Sequence, residues 1–239
     1  MIMDIKGYIL SAVKNFKIEL SDEQLNQLES YYKLLVSWNE RMNLTAITEP
    51  KDVAIKHFAD SLSVLSFVDV PNGASVIDVG TGAGFPGLVL KIARPDIKLT
   101  LLDSLKKRLT FLEDVLNNLG LDAQLIHSRA EEGGQSIDLR ECYDFAVSRA
   151  VAQLNVLCEY CLPYVRLSGS FIAFKGGESD EEIKNASKAI QTLGGKKTDV
   201  YKFDLPENSG SRTLVIIEKV QPTPDKYPRQ NGKIKAKPL

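Results

Sequence analysis

The chain has 239 residues, of which 44% are hydrophobic and 26% are charged, and its formal net charge is −1. A chain of this length buries roughly 70 to 75% of the surface that it exposes when unfolded, so it needs neither disulfides nor a metal to fold. This composition is that of a soluble globular protein and excludes disorder, collagen and a coiled coil. Three cysteines are too few for a disulfide framework, and the sequence has no apolar run of the length that spans a membrane.

The N-terminus and the C-terminus both carry information about location and partners. Asp4 and Lys6 stand where a signal peptide would need an apolar segment, so we expect a cytoplasmic protein. From Lys219 to Leu239 there are six basic side chains against a single acid, Asp225. This asymmetry points either to an anionic partner for the tail or to a solvated, poorly ordered terminus, and both interpretations stay open.

The first 70 residues have the periodicity of helices only. Ser21 and Gln24 have the spacing of a capping box, and apolar residues follow at intervals of three or four up to Met42. Asn43 is then a plausible left-handed cap. A second helix is predicted after Pro50, and the turn at 69–73 ends the helical region.

From Ser75 onward short apolar strands alternate with helices, which predicts a parallel sheet covered on both faces. The predicted strands span 75–79, 98–102, 123–127, 143–148 and 170–174, and the predicted helices lie near 87–94, 105–119, 153–162 and 179–193. Two further strands at 197–204 and 212–219 are joined by a loop too short for a crossover helix, so we expect an antiparallel hairpin.

A glycine-rich turn follows the first strand, where Gly80, Gly82 and Gly84 stand two residues apart. A dinucleotide site would place a third glycine where Phe85 stands, which disfavours a nicotinamide-dependent oxidoreductase. Asp103 ends the second strand, where a carboxylate can accept both hydroxyls of an unphosphorylated ribose. A turn and an acid after the third strand, Ala130 and Glu131, lie where a base would bind, so we expect a nucleoside site.

Several motifs together resemble one family. They are Trp38-Asn39 with Asn43-Leu-Thr45, Lys56-His57-Phe-x-Asp60-Ser61, Asp78 to Pro86, Asp103-Ser-x-x-Lys-Arg108, Arg129-Ala-Glu131, Ser148-Arg-Ala150 and Lys226-Tyr-Pro-Arg229. From about residue 35 to the C-terminus the chain resembles the bacterial 16S rRNA (guanine-N7) methyltransferase family, also called glucose-inhibited division protein B.

The resemblance implies a class I methyltransferase sheet of five parallel strands with a terminal antiparallel hairpin. It implies S-adenosylmethionine as the cofactor, and as the reaction the methylation of guanine 527 in the 530 loop of 16S rRNA. The substrate would be 16S rRNA, the 30S subunit or an assembly intermediate. The expected cofactor-binding residues are Asp78, Gly80, Gly82, Gly84, Phe85, Asp103, Ser104, Ala130, Glu131 and Arg149.

Guanine N7 already carries a lone pair, so its methylation needs orientation more than a base. The segment Ser148-Arg149-Ala150-Val151 stands where methyltransferases of exocyclic amines resemble one another in an Asn/Asp-Pro-Pro-aromatic motif. Arg149 and Lys175 are the candidate catalytic residues, Arg149 as a positioning group. His57 could face the mouth of the site or make an orienting hydrogen bond among the helices. A non-catalytic, cofactor-responsive RNA-binding or assembly factor is the alternative function.

Three domain-like parts are expected: a helical cap at 1–70, the methyltransferase domain at 71–220 and a basic tail at 221–239. Since the nucleoside motifs end at Arg149, the tail is predicted to bind RNA independently of the cofactor. Cys158 and Cys161 are a single pair without partners for a zinc site, so no metal is predicted. The expected RNA-binding residues are Lys106, Lys107, Arg108, Lys226, Arg229, Lys233, Lys235 and Lys237.

Overall fold

A seven-stranded sheet forms the centre of the computed structural model, which describes residues 4–149 and 152–239. Its strands are β1 (Ser75–Val79), β2 (Lys98–Asp103), β3 (Gln124–His127), β4 (Tyr143–Arg149), β5 (Val165–Gly176), β6 (Gly195–Asp204) and β7 (Ser211–Lys219). They are ordered β3-β2-β1-β4-β5-β7-β6, and only β7 runs antiparallel to both its neighbours. The predicted five parallel strands with a terminal antiparallel hairpin are therefore confirmed.

Helices cover both faces of the sheet. They are α1 (Ile5–Lys14), α2 (Asp22–Met42), α3 (Pro50–Val53), α4 (Asp60–Leu62), α5 (Gly87–Ala93), α6 (Lys106–Leu119), α7 (Ala130–Gly133), α8 (Leu154–Cys161), α9 (Asp180–Asn185), α10 (Ser187–Thr192) and α11 (Asn231–Ala236). The predicted helix at 179–193 is interrupted at Ala186, between α9 and α10. Among the described residues, no helix combines the length and apolar character that crossing a membrane requires.

The capping signals of α2 act as the sequence predicts. The side chain of Ser21 accepts the backbone N–H of Gln24 at 3.2 Å, and the Gln24 side chain accepts the backbone N–H of Ser21 at 2.9 Å. The helix ends at Asn43, whose φ of 49° is left-handed. Because the apolar residues recur every three or four positions, Leu28 and Leu35 both point inward and are fully buried.

The second predicted helical region runs without a break from Pro50 to Ser66. It contains a π-helical segment, Ala54–Ala59, between α3 and α4, and it ends in a 3₁₀ turn, Ser63–Ser66. A π-helical turn widens the backbone spiral and is often found at functional sites. This segment carries His57 on a buried face that reaches the carboxyl ends of the strands.

Strand β5 is longer than predicted. It begins at Val165 rather than at 170, and its register against β4 shifts between Tyr143 and Phe145. Arg166, Ser168 and Gly169 are polar or small, Leu167 is exposed, and Ser168 has a φ of 63°, so this part lacks the apolar pattern that marks a strand. Gly169 lies so close to the neighbouring strand that a Cβ would be 2.6 Å from the Asp144 carbonyl oxygen.

Two hydrophobic cores lie on opposite faces of the sheet. The first joins α1, α2 and the 50–66 segment to α5, α6 and their side of the sheet. The second joins α8, α9, α10 and α11 to the other side. The N-terminal helices share this first core with the sheet. The division of the chain into parts at residue 70 stays a prediction.

The C-terminal tail is folded onto the second face, which contradicts the idea of a poorly ordered terminus. Arg140 donates hydrogen bonds to the carbonyl oxygens of Thr223 (2.6 Å) and Tyr227 (2.8 Å). Arg229 pairs with Glu159, which is completely buried, and Ile234 of α11 is also fully buried. The tail is thus part of the folded body.

Candidate functional site

A cleft of about 540 Å³ opens at the carboxyl ends of the parallel strands. It lies where β1 and β4 are neighbours and the strand order reverses direction, which is the usual ligand position in open α/β sheets. Its volume is within the range of small-molecule sites. The predicted cofactor-binding residues that line it are Gly80, Gly82, Phe85, Asp103, Ser104, Ala130, Glu131 and Arg149.

The three glycines of the turn have different structural roles. All three have positive φ, with 73° at Gly80, 61° at Gly82 and 96° at Gly84. Gly80 and Gly82 face the cleft, and a Cβ on Gly82 would meet only the Gly80 carbonyl oxygen, at 4.0 Å. A Cβ on Gly84 would instead lie 2.5 Å from the Tyr31 hydroxyl. Gly84 therefore allows α2 to approach and does not line the cleft.

Asp78 supports the turn from behind. It is fully buried, and its Oδ2 accepts hydrogen bonds from the Thr81 hydroxyl and the Gly87 backbone N–H, both at 2.8 Å. Burial is the main cause that raises the pKa of Asp78 to about 6. The structure thus places this predicted cofactor-binding residue below the cleft surface, where it fixes the turn against the start of α5.

Asp103 joins the end of β2 to the glycine turn. Its Oδ2 accepts the backbone N–H of Gly82 at 2.9 Å and lies 3.3 Å from Nη1 of Arg108, while its Oδ1 accepts the backbone N–H of Leu105 at 2.8 Å. A carboxylate offers roughly four lone-pair sites. Three of these sites are occupied, so acceptance of both ribose hydroxyls requires one of the three contacts to be released. Arg108 makes the longest of them and is therefore the group that would have to move.

The wall beyond Asp103 comes from the loop after β3. Ala130 and Glu131 begin the short helix α7, and the Tyr164 hydroxyl donates to the Ala130 carbonyl oxygen at 2.7 Å. Ser104 and Ala130 lie on the cleft with the largely buried Glu131. These positions can contact a flat base through backbone groups and one carboxylate.

The opposite end of the cleft is aromatic and cationic. The Phe85 ring stacks on His57 with centroids 4.4 Å apart and on Tyr31 at 5.5 Å. The guanidinium carbon of Arg149 lies 5.0 Å from the centre of the same ring. Phe85, which distinguishes this turn from a dinucleotide site, therefore orients both His57 and Arg149.

Arg149 is held in an ion-pair cluster. Its Nη1 donates to Asp60 Oδ2 and to the Lys56 carbonyl oxygen, both at 3.0 Å. Nε of Arg212 lies 3.3 Å from the same Asp60 oxygen. Two guanidinium groups thus face the Asp60 carboxylate, and the buried Asp78 carboxylate also acts electrostatically on Arg149. Nε of Arg149 has no acceptor among the described residues, so the arginine can bind an anion.

His57 is neutral at this site. Burial, and after it the charge of Arg149, lower the pKa of His57 to about 3. Its Nδ1 lies 3.2 Å from Nη2 of Arg149, and its Nε2 lies 2.9 Å from the hydroxyl of Thr45. The sequence left the position of His57 open, and the structure brings it both to the cleft wall and into this hydrogen-bonded chain.

The tail contributes to the cleft, which was not predicted. Asn231 and Lys235 of α11 line it, and the Tyr160 hydroxyl donates to Asn231 Oδ1 at 2.6 Å. Leu44 and Thr45 also line the cleft from the loop after α2. The Asn43-Leu-Thr45 motif was a usable signal for that loop, whereas no local pattern marks Asn231.

Other predicted residues are engaged elsewhere. Lys175 pairs with Glu182 at 2.6 Å and donates to the Ala152 carbonyl oxygen at 2.9 Å, so it does not reach the cleft. Arg229 is bound to buried Glu159 through its backbone N–H and its side chain, and Arg108 contacts Asp103. The exposed cations of the predicted RNA surface are Lys106, Lys107, Lys226, Lys233, Lys235 and Lys237.

The last sequence predictions concern a metal site and the motif after strand four. Within the described ranges, no group of three or more histidine, cysteine, aspartate or glutamate side chains is arranged to hold a metal ion. Cys158 and Cys161 are buried in α8, and burial raises the pKa of both thiols. Of the motif after strand four, Ala150 and Val151 lie outside the described residues.

Comparison with known proteins agrees with this geometry. The sequence profile of the family described as rRNA small subunit methyltransferase G matches residues 24–214. Two proteins named ribosomal RNA small subunit methyltransferase G, from Desulforamulus reducens and Alkaliphilus oremlandii, are each 50% identical to this chain. Each alignment covers 99% of this chain, together with 99% of the Desulforamulus reducens protein and 100% of the Alkaliphilus oremlandii protein. A SAM-dependent O-methyltransferase from Thermotoga maritima has a similar fold, with a TM-score of 0.52, 17% identity, and coverage of 80% of this chain and 72% of that one.

The sheet order, the antiparallel seventh strand and the glycine turn facing Asp103 are those of the class I methyltransferase fold, and the family match makes S-adenosylmethionine the cofactor. Within that class, the chain belongs to the rRNA small subunit methyltransferase G family. The names of these relatives favour an enzyme over the alternative of a non-catalytic RNA-binding factor.

Proposed function

We propose that this protein transfers a methyl group from S-adenosylmethionine to N7 of a guanine in 16S rRNA, at guanine 527 of the 530 loop. The observation that carries the choice of N7 is the state of His57. Its Nδ1 lies 3.2 Å from both Nη2 of Arg149 and the Lys56 carbonyl oxygen, and its Nε2 is bonded to Thr45, so both ring nitrogens are engaged within the protein. N7 needs no base, because its lone pair is already available.

The cofactor fits the residues at both ends of the cleft. Asp103 and the loop at Ala130–Glu131 suit the ribose and base, and the guanidinium of Arg149 suits a carboxylate. Gly80 and Gly82 leave the backbone between these ends open to close approach. When bound, the cofactor supplies an electrophilic methyl group on a positively charged sulfur.

The transfer is a balanced two-electron displacement. The N7 lone pair forms the new bond to carbon while the carbon–sulfur bond breaks and its electron pair stays on sulfur. The positive charge moves from sulfur to the methylated guanine, and no proton is exchanged. The contribution of the protein is orientation, for which Phe85 and Arg149 fix one end and Asp103 fixes the other.

The exposed lysines beside the cleft suit an RNA backbone. Lys106 and Lys107 begin α6, and Lys233, Lys235 and Lys237 are exposed at α11, on the other side of the opening. Cations bound to phosphates release counterions, so replacing one phosphate-binding lysine by alanine should lower the salt slope of RNA binding by roughly 0.7 to 0.9. Arg229 is excluded from this set, since Glu159 already binds it.

The proposal is tested by mass spectrometry of rRNA from cells with and without the protein. We expect one N7-methylguanosine to disappear without it and to return when the wild-type protein is supplied. Supply of a variant that cannot bind the cofactor is the control and should not restore the modification. Disappearance of a different methylated nucleoside, or no change, would contradict the proposal.

A further inference from the structure

The three groups that contact the Asp103 carboxylate are not held equally firmly. All three are N–H groups, so the carboxylate is the acceptor in each bond. The backbone donors of Gly82 and Leu105, at 2.9 and 2.8 Å, belong to the glycine turn and to the residue before α6. Arg108 reaches the carboxylate from 3.3 Å through a flexible side chain that is 37% exposed. Its contact is therefore the one that can be released without a change in the backbone.

These bonds occupy the two oxygens of Asp103 unequally. Each carboxylate oxygen offers about two lone-pair sites. Oδ1 accepts one bond, from Leu105, and has a site left, whereas Oδ2 accepts from both Gly82 and Arg108 and has none. Acceptance of one ribose hydroxyl by each oxygen therefore requires an Oδ2 contact to be released. The contact with Arg108 is the weaker of the two, because it is longer and more exposed.

Arg108 lies between the cofactor cleft and the basic surface at the start of α6. Its side chain lines the cleft, and the exposed Lys106 and Lys107 precede it in the first turn of the helix. Among the described residues, Asp103 is the only acid within ion-pair distance of Arg108. A guanidinium released from this pair has water or an external anion as its partner. Its planar fork suits a phosphate, to which it can donate two parallel bonds.

We propose that Arg108 couples cofactor binding to RNA binding: it leaves Asp103 when the ribose binds there, and it then binds a phosphate of the RNA. The inference rests on the proposed function, in which the RNA backbone lies against the lysines at the start of α6. The coupling is reciprocal, because RNA that holds Arg108 away from Asp103 also removes the competitor of the ribose. Each ligand thus raises the affinity for the other.

The strength of the pair between Asp103 and Arg108 sets the size of this coupling. An ion pair whose arginine is partly exposed typically favours the paired state by a factor of about 2 to 5. Cofactor binding has to overcome this factor when the RNA is absent. The same factor is recovered when RNA holds the arginine away or when a substitution removes its guanidinium. Two independent measurements should therefore give the same number.

The test uses binding of S-adenosylhomocysteine, the product that remains after methyl transfer. Its affinity is measured by calorimetry with and without small ribosomal subunits from cells that lack the protein. The proteins are the wild type, Arg108→Met, which keeps an unbranched side chain without the guanidinium, and Lys106→Met. The last is the matched control, since it removes a neighbouring exposed cation that does not contact Asp103. A second probe, the 2′,3′-dideoxy analogue of S-adenosylhomocysteine, lacks both hydroxyls.

Without subunits, Arg108→Met should bind S-adenosylhomocysteine about 2- to 5-fold more tightly than the wild type, and Lys106→Met should equal the wild type. Addition of subunits should raise the affinity of the wild type and of Lys106→Met by a similar factor. It should leave the affinity of Arg108→Met unchanged, because the competitor is already absent. The dideoxy analogue should show no increase with any of the three proteins.

Two results would overturn the inference. Weaker binding of S-adenosylhomocysteine by Arg108→Met would mean that the arginine contacts the cofactor rather than competing with it. An equal effect of the subunits on the wild type and on Arg108→Met would mean that the coupling does not pass through this residue. Subunits that bind none of the proteins would contradict the proposed function instead, while the titrations without subunits still decide whether Arg108 competes with the ribose.

Discussion

The carboxylate of Asp103 accepts the backbone N–H of Gly82 at 2.9 Å, which ties the end of β2 to the glycine turn after β1. One side chain thus both shapes the turn and presents an acceptor to the cleft. The bond spans two neighbouring parallel strands at their carboxyl ends, which is where the sheet order places its ligand.

Asp103→Ala should weaken binding of S-adenosylmethionine by about 1 to 3 kcal/mol, because a charge-assisted acceptor is removed. Asp138→Ala removes an exposed carboxylate away from the cleft and serves as the matched control. Isothermal calorimetry on both variants provides the comparison. Equal affinities for the two would show that Asp103 does not contact the cofactor.

The turn also makes a prediction about stability. Gly84→Ala would place a Cβ 2.5 Å from the Tyr31 hydroxyl and 2.8 Å from Leu112 Cδ2. Gly120 also has a positive φ, 64° against 96° at Gly84, but nothing within 4 Å, so Gly120→Ala reports a left-handed backbone without a steric clash. We expect Gly84→Ala to lower the free energy of unfolding by about 1 to 3 kcal/mol more than Gly120→Ala does. Denaturant unfolding gives this difference. Equal decreases would mean that the Tyr31 side chain moves aside with no loss of stability.

The tail should matter for cofactor binding, contrary to the expectation from sequence. Glu159→Gln weakens the buried pair with Arg229 and so loosens the segment that carries Asn231 and Lys235 to the cleft. We expect reduced affinity for S-adenosylhomocysteine and a similar reduction when residues 222–239 are deleted. Lys226→Ala, which alters an exposed tail cation, is the control. Unchanged affinity in the deletion variant would mean that the tail does not contribute to cofactor binding, as the sequence predicts.

These cases show what a sequence can and cannot reveal. Strand β1 was predicted with its correct bounds because an apolar run between a turn and a glycine motif is a local signal. The contacts of Arg229 with Glu159 and of Asn231 with Tyr160 join residues about 70 positions apart, so they depend on how the chain closes. Asp78 and Gly84 belong to a recognisable motif, but only packing shows that they support the cleft from outside it.

The buried imidazole predicts a pH dependence of stability. The pKa of His57 is about 3 in the folded protein, below its ordinary value of about 6.5. Between these values the unfolded chain binds more protons, so this contribution is complete above about pH 6.5 and is lost as the pH falls. The unfolding free energy of the wild type minus that of His57→Gln should therefore decrease on acidification, by at most about 1.4 kcal/mol per pH unit.

Urea unfolding of both proteins near neutral pH and in mild acid measures this difference. Asp78, whose pKa burial raises to about 6, has the opposite effect: its contribution is lost as the pH rises through that value. It is present in both proteins and cancels in the subtraction. A difference that stays constant with pH would mean that His57 titrates normally.

The central claim is transfer to a ring nitrogen without a base, and chemical mapping of the product tests it most directly. Small ribosomal subunits from cells lacking the protein are incubated with the purified enzyme and tritiated S-adenosylmethionine, and the rRNA is treated with borohydride and aniline. Because a cationic N7-methylguanine weakens its own ring and glycosidic bond, we predict strand cleavage at a single guanine that carries the label. Label on an exocyclic amine or on a ribose, with no cleavage at that guanine, would contradict the account.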